Sequence, residues 1–171
     1  MSADPSDLEQ RLALMRENMK MMTKAVPWAR DLGFEVTRIE KGRVWGSQPW
    51  NESLVGDPDT GVIHGGVITT LLDNASGIAT QLSMPERVAI ATLDLRIDCM
   101  RPAEPGEDII AHAHCYKVTK NIAFVRGTAY HGENEDDPIA TSVATFMLAA
   151  NRSMPMPISA QEAINKQKGD A

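Results

Sequence analysis

Cysteine, aromatic residues and long apolar runs are all scarce in this chain of 171 residues. Its two cysteines, Cys99 and Cys115, are too few for a disulfide-stapled domain, and their separation fits no zinc-binding pattern. Because both lie in strand-like segments, we expect two buried, reduced thiols. No apolar run approaches the roughly 20 residues that a membrane-spanning helix needs. These absences favour a globular domain that folds around its own hydrophobic core.

Basic residues are also in the minority, with 17 Lys and Arg against 23 Asp and Glu and a net charge of -6. This balance argues against a general nucleic-acid surface, although a few local basic groups would suffice for a small anionic ligand. The N-terminus carries Asp4, Asp7 and Glu9 ahead of any apolar stretch, unlike a signal peptide. We therefore expect a cytoplasmic protein.

Several motifs of catalysis and cofactor binding are missing. There is no Gly-x-Ser-x-Gly elbow of the α/β serine hydrolases and no glycine motif for phosphates or dinucleotides. His112 and His114 would share one face of a strand, a spacing that some metal sites use. Since no third ligand is evident, we interpret both as solvent-facing strand histidines and expect no metal and no cofactor.

An acidic residue stands inside the most apolar segment of the chain. Helical spacing predicts a buried helix over residues 67–82, with apolar positions at Val67, Ile68, Leu71, Leu72, Ala75, Ile78, Ala79 and Leu82. The remaining residues are expected on a narrow polar stripe that comprises Thr69, Asp73, Ser76, Gly77 and Thr80. A carboxylate on such a helix costs several kcal/mol unless it is hydrogen-bonded or reached by a cleft. Asp73 is therefore the first functional candidate.

Period-two alternation predicts six strands around this helix. They are expected over residues 33–40 and 43–50, and then over 91–99, 108–119, 121–131 and 138–149. Within 91–99, the alternation places Leu93 and Cys99 on one face and Thr92 with Asp94 on the other. The tight turns at Lys41-Gly42 and Lys120-Asn121 indicate an antiparallel sheet, with the helix lying across it.

The two ends of the chain differ from this middle part. Apolar residues spaced by threes and fours predict an amphipathic helix over about residues 6–25, with Pro27 as its stop. We assign residues 1–28 to this helix, 29–150 to the main domain and 151–171 to a loosely held tail. Residues 51–60 are interpreted as a polar loop.

The motif Gly61-x-x-His64-Gly65-Gly66, with Asp73 nine residues after the histidine, resembles the hotdog-fold thioesterases, and most closely the PaaI (phenylacetyl-CoA thioesterase-like) type. Residues 92–103, a strand that ends in Arg101-Pro102-Ala103, also resemble that branch. The resemblance implies an α+β hotdog fold: one curved antiparallel sheet wrapped around a central helix, here with an extra N-terminal helix. It further implies hydrolysis of acyl-CoA thioesters in a site formed between two subunits.

The resemblance also implies roles for individual residues. Asp73 matches the catalytic carboxylate, which acts as nucleophile or as general base on a water. Gly65 matches the glycine whose backbone N–H polarises the thioester carbonyl. His64 matches the histidine before it, and Thr92 stands where relatives place a Ser or Thr that helps to position the water.

Substrate-binding candidates surround these four residues. Gly66 is one, and basic groups near strand ends are others because coenzyme A is anionic: Arg101, Lys117, Lys120 and Arg126. Many relatives carry an Asn six residues before the histidine, where this chain has Pro58. We expect either Asn51 or Asp57 to take over that role.

Other interpretations remain open from the sequence. Asp73 could be a structural carboxylate in a subunit interface, and the chain could be a non-catalytic hotdog module that binds acyl-CoA. A hydratase on the same fold is a third hypothesis, although no second acid/base group suits it. The expected assembly is a homodimer or homotetramer.

Overall fold

The computed structural model describes residues 26–153 of the chain. The helix predicted over residues 6–25 lies outside these residues, as does the part of the predicted tail (151–171) from residue 154 onward; residues 151–153 continue the last strand of the sheet. The first described element is a short helix, α1 (Pro27–Leu32), and Pro27 occupies its first turn. The fixed φ of proline suits that position, so Pro27 begins a helix where we had predicted only the end of one.

The remaining elements follow in the order expected from the sequence, with two additions. They are β1 (Glu35–Glu40), β2 (Arg43–Gln48), a 3₁₀ turn (Glu52–Leu54), β3 (Val55–Asp57), β4 (Val62–Ile63), α2 (Gly65–Leu82), β5 (Val88–Cys99), β6 (Ile109–Val118), β7 (Ile122–His131) and β8 (Ala140–Ser153). The additions are the 3₁₀ turn and the antiparallel pair β3–β4, which replace part of the loop predicted over residues 51–60.

Six of the strands form a single sheet in the order β1-β2-β6-β7-β8-β5. All neighbours are antiparallel, as the tight turns predicted. Helix α2 packs on one face of this sheet and contacts five of its strands. A long helix packed on one antiparallel sheet is the arrangement of the hotdog fold, so the predicted fold class is confirmed.

The close approach of α2 to the sheet depends on small residues in the strands. The helix-facing positions of β6, β7 and β8 include Ala111, Ala113, Ala123, Ala129, Ala140 and Ala144, all buried. At Gly127 a Cβ would lie 3.2 Å from Leu72 Cδ2 and 2.6 Å from Ser142 Oγ, which leaves no room for a larger residue. Because the side chains at these positions are small, the helix can approach the sheet closely and bury its apolar side chains without a void.

The predicted polar stripe of α2 is only partly correct. Thr69 is exposed and Asp73 and Gly77 are half-buried, but Ser76 and Thr80 are fully buried. The Thr80 hydroxyl donates to the Ser76 carbonyl at 3.0 Å, one turn earlier. This local bond satisfies the hydroxyl, which explains how a polar residue can face the sheet.

Strand β5 is the last strand of the sheet and pairs only with β8 in the described part of the chain. Its register shifts between Thr92 and Asp94, so that Leu93 is an extra, exposed residue. Cys99, at the end of this strand, is exposed, and the predicted burial of both thiols is therefore wrong for Cys99 and correct for Cys115. The reason is the edge position, since within residues 26–153 β5 has a neighbouring strand on one side only.

Candidate functional site

Helix α2 begins directly after His64, whose side chain caps it. His64 Nδ1 accepts a hydrogen bond from the Gly66 N–H at 3.0 Å, and the Val67 N–H donates to the His64 carbonyl at 2.9 Å. Because Nδ1 is the acceptor, a neutral His64 carries its ring proton on Nε2. The imidazole therefore stabilises the first turn of the helix.

Gly65 offers the available backbone donor at this helix start. Its N–H has no acceptor among residues 26–153, whereas the neighbouring Gly66 N–H is engaged by His64. A Cβ on Gly65 would meet no atom within 4 Å, while one on Gly66 would lie 2.9 Å from His64 Nδ1. Since the first N–H groups of a helix carry partial positive charge, Gly65 presents a polarising donor to open space.

The 3₁₀ turn and strand β3 together hold His64 in this position. The His64 N–H donates to the Leu54 carbonyl at 2.9 Å. A Cβ on Gly56 would lie 2.8 Å from His64 Cα, so only glycine lets the β3 backbone come this close. Sequence reasoning missed Gly56, because a glycine in a polar loop is the ordinary sign of a turn and carries no signal of packing.

A cavity of about 610 Å³ lies beside the helix start. Its lining is mostly apolar and comprises Trp28, Leu32, Ser53, Leu54, Val55, Gly56, His64, Gly66, Val67 and Thr70. Of the residues predicted for the site, only His64 and Gly66 line it. We call this the His64 cavity.

Asp73 lies two turns further along α2 and is half-buried. Its Oδ1 accepts a hydrogen bond from the Thr92 hydroxyl at 3.1 Å. The structure thus joins Asp73 and Thr92, the two side chains that the resemblance assigned to water activation. A hydrogen bond to a carboxylate is stronger than one between neutral groups and fixes its orientation.

The bulge at Leu93 is what brings Thr92 to Asp73. Simple alternation placed Thr92 on the same face as Asp94, and that prediction is wrong. In the structure Thr92 pairs with Phe146, which is buried, and Asp94 pairs with Thr145, whose side chain alternates to the outer face. Because the bulge adds one residue, the alternation of side chains between the two sheet faces shifts at Leu93. Thr92 therefore points to the helix side, and Asp94 to the outer side.

Asp73 and Thr92 lie at one end of a second cavity of about 250 Å³. The other lining residues are Asn74, Gly77, Ile78, Gln81, Ile90 and Phe146. Gly77 and Gln81 follow Asp73 at intervals of one helical turn. The three residues therefore lie on the same face of α2, and this spacing is visible in the sequence. We call this the Asp73 cavity.

The two cavities are separate in a single chain. Gly65 and Asp73 are eight positions apart on one helix, which corresponds to about 12 Å along its axis. A thioester carbonyl that accepts a hydrogen bond from Gly65 is therefore out of reach of the Asp73 carboxylate of the same chain.

The structure does not bring Asn51 or Asp57 to Asp73. Asn51 caps the 3₁₀ turn, with its Oδ1 accepting from the Ser53 N–H at 2.9 Å. Asp57 accepts from the Asp59 N–H at 3.1 Å and from the Thr60 hydroxyl at 2.8 Å, and so stabilises the turn that contains Pro58. Neither side chain lines the His64 or the Asp73 cavity.

Two of the basic candidates have structural contacts of their own. Arg101 donates to the Asp137 carbonyl at 3.1 Å and forms an ion pair with the Asp137 carboxylate at 3.1 Å. Arg126 lies over the Tyr116 ring, 4.8 Å from its centre, on the sheet face away from α2. Neither residue lines the Asp73 cavity.

Lys117 and Lys120 are both exposed. Lys120 lies in the turn between β6 and β7, where the Asn121 carbonyl accepts from the Leu148 N–H at 2.7 Å. Leu148 pairs with Ile90, a residue of the Asp73 cavity. Lys120 is therefore at the sheet end next to that cavity.

His112 and His114 lie on the outer face of the sheet, but His112 is not solvent-facing as predicted. Its ring stacks on Trp45 at 4.3 Å, its side chain is 12% exposed, and its Nδ1 lies 2.7 Å from Glu135 Oε1. Burial, followed by the charges of Arg43, His112 and Arg126, lowers the pKa of His114. No group of three residues suited to a metal ion occurs within residues 26–153.

In the same part of the chain, neither helix is long and apolar enough to cross a membrane.

Comparison with known proteins identifies the family of the chain and supports its fold. Residues 60–137 match the model of the thioesterase superfamily. The medium/long-chain acyl-CoA thioesterase YigI of Escherichia coli shares 31% identity over 153 residues, which cover 82% of this chain and 95% of that protein. Human acyl-coenzyme A thioesterase 13 shares 38% identity over 113 residues, or 64% of this chain and 77% of that protein. The PaaI structure of E. coli superposes with a TM-score of 0.68 over 78% of this chain and 91% of that one, at 17% identity.

Proposed function

Because the chain belongs to the thioesterase superfamily, we propose that it hydrolyses acyl-CoA thioesters to a free acid and coenzyme A. Its curated relatives at 31% and 38% identity are acyl-CoA thioesterases. The observation that carries the proposal is the half-buried carboxylate of Asp73, oriented by the Thr92 hydroxyl at the mouth of a largely apolar cavity. A carboxylate placed there can act on a carbonyl whose acyl group lies in the cavity.

Two routes use this carboxylate. As a general base, Asp73 takes a proton from a water whose oxygen bonds to the acyl carbon; the C–S bond then breaks and the proton passes to the CoA sulfur. As a nucleophile, Asp73 itself bonds to the acyl carbon and expels the thiolate, and water then hydrolyses the anhydride. In both routes the carbonyl oxygen gains negative charge, which the Gly65 N–H stabilises.

In a single chain, Gly65 and Asp73 lie about 12 Å apart, too far to act on the same carbonyl. A second copy of the chain best explains how both groups could serve one site. Within residues 26–153, strand β5 is paired on one side only, and its other edge, next to Asp73 and Thr92, has no neighbouring strand. Long exposed strand edges are usually covered, and a second copy of the chain that covers this edge could supply the Gly65 N–H from its own helix α2. We therefore assign the active unit to a homodimer with two composite sites, alone or within a tetramer.

Lys120 is the basic group that we assign to the anionic end of coenzyme A. It is exposed at the sheet end beside the Asp73 cavity, and it has no ion-pair partner within residues 26–153. A solvent-exposed ammonium group can contact phosphate without the desolvation that a buried charge would require.

The composite site can be tested by mixing two inactive variants. Asp73→Asn removes the base or nucleophile and keeps the side-chain shape, whereas Gly65→Pro removes the backbone donor. Each variant alone is expected to lose at least about a hundredfold in thiol release from acyl-CoA. A mixed dimer contains one site with an intact Asp73 and an intact Gly65, so co-refolded variants should recover activity.

The outcomes separate the hypotheses. Absence of recovery in mixed dimers, shown to form by differently tagged chains, would contradict a site shared between subunits. Full activity of Asp73→Asn would overturn the role of the carboxylate. If the unmodified protein is stabilised thermally by acyl-CoA without releasing thiol, the chain is a binding module and the proposed hydrolysis is wrong.

A further inference from the structure

We propose that the apolar part of the Asp73 cavity receives the acyl chain, and that Gly77 determines how far an acyl chain can enter. This inference rests on the proposed function, since it assumes that acyl-CoA is the substrate. It identifies Gly77 as a specificity-determining residue and a slim, unbranched acyl chain as the group that fits.

The cavity runs between α2 and β5 from Asp73 to Gln81, with an apolar part between these two polar residues. Asp73 and Thr92 form one polar end, and Ile78, Ile90 and Phe146 line the apolar part. Along the helix, Asp73 and Gln81 are eight residues apart, and across from them Thr92 and Val88 are four residues apart on the strand. Both separations correspond to about 12–13 Å, so helix and strand bound one elongated space.

Gln81 closes the far end of this space. Its Nε2 donates to the Val88 carbonyl at 2.7 Å, and its Oε1 accepts from the Val88 N–H at 3.4 Å. This double contact ties the last turn of α2 to the first residue of β5. A volume of about 250 Å³ is smaller than the roughly 300–1,000 Å³ of typical ligand pockets. It therefore suits the acyl group alone, with coenzyme A outside.

Gly77 lies halfway between Asp73 and Gln81 on the helix wall. A Cβ there would lie 3.6 Å from Ile90 Cδ1 and 3.8 Å from Phe146 Cε1, both ordinary contact distances. A methyl group would thus fit without displacing either side chain and would bridge the space between helix and sheet. Because this gap is only about one methyl group wide, an acyl chain would lie alongside Gly77, and an alanine Cβ there would narrow the cavity.

The test is the chain-length preference of Gly77→Ala. We would measure kcat/KM by thiol release with butanoyl-CoA and octanoyl-CoA, and compare the octanoyl-to-butanoyl ratio with that of the unmodified protein. One methylene in an apolar pocket changes specificity by about tenfold or more, so the ratio should fall at least about tenfold. Alanine also favours a helix over glycine, so the melting temperature should not fall, and lost activity would not reflect unfolding.

Two further variants keep the inference falsifiable. Phe146→Leu widens the same cavity and should raise the ratio, in the opposite direction to Gly77→Ala. Val55→Phe narrows the His64 cavity instead and should leave the ratio unchanged. If Val55→Phe lowers the ratio and Gly77→Ala does not, the acyl chain lies in the His64 cavity and the inference is wrong. Thiol release from neither substrate by the unmodified protein would contradict the proposed function itself.

Discussion

The Gly65 end and the Asp73 end of helix α2 are stabilised by different kinds of contact. At the Gly65 end, the groups that matter lie close together along the chain: His64 caps the helix through Gly66, and Gly56 packs on His64. At the Asp73 end, the hydrogen-bond partner Thr92 is 19 residues away and lies on another element. The donor therefore depends on local sequence, whereas the orientation of the carboxylate depends on how β5 pairs in the sheet.

Among three variants that probe this difference, the one that removes the Gly65 N–H should lower the activity most. Proline at the first helical position has the required φ and lacks only the N–H, and His64, with φ -60° and ψ 131°, already has the conformation that a following proline needs. Gly65→Pro should lower kcat about a hundredfold to a thousandfold. The melting temperature should change little, because no hydrogen bond is lost.

Gly65→Ala is the matched control for that variant. It retains the N–H, and its Cβ would meet no atom within 4 Å in the chain. Its loss of activity should be much smaller than that of Gly65→Pro. Equal losses in the two variants would show that space at Gly65, and not its hydrogen bond, is what the reaction requires.

Thr92→Val should have an intermediate effect at the Asp73 end. Valine has nearly the same shape but cannot donate to Asp73, and a hydrogen bond to a charged group is worth about 1.5–3 kcal/mol. We expect kcat to fall about tenfold or somewhat more with little change in KM, and Thr92→Ser to restore most of it. If Thr92→Ser is as impaired as Thr92→Val, packing of the methyl group is responsible and the positioning role is wrong.

Gly56→Ala should affect stability more than catalysis. Its Cβ would come within 2.8 Å of the His64 backbone, so β3 or the helix start must move. Overpacking of this kind costs about 1–3 kcal/mol in the free energy of unfolding. Urea denaturation would measure it, with Gly65→Ala as a glycine-to-alanine control in open space. An unchanged unfolding midpoint would mean that β3 accommodates the methyl group and does not hold His64 firmly.

Much of the fold could be predicted from the sequence because its signals are local. The spacing of apolar residues identified α2 with Asp73 inside it, and alternation with tight turns identified six antiparallel strands. The prediction failed where a residue's surroundings depend on distant partners. Cys99 is exposed because β5 is the sheet edge, and the bulge at Leu93 puts Thr92 and Asp94 on opposite faces where simple alternation put them on one.

By itself, the sequence determined the central helix, the six strands of the main sheet, the acid on the apolar helix and the glycine pair at the start of that helix. Each of these follows from residues within one or two turns of one another. Only the tertiary structure decided that Thr92 faces Asp73 and that Gly77 borders a cavity. The physical reason is that a single bulge at Leu93, stabilised by pairing with β8, reverses which side chains face the helix, and no local pattern specifies that pairing.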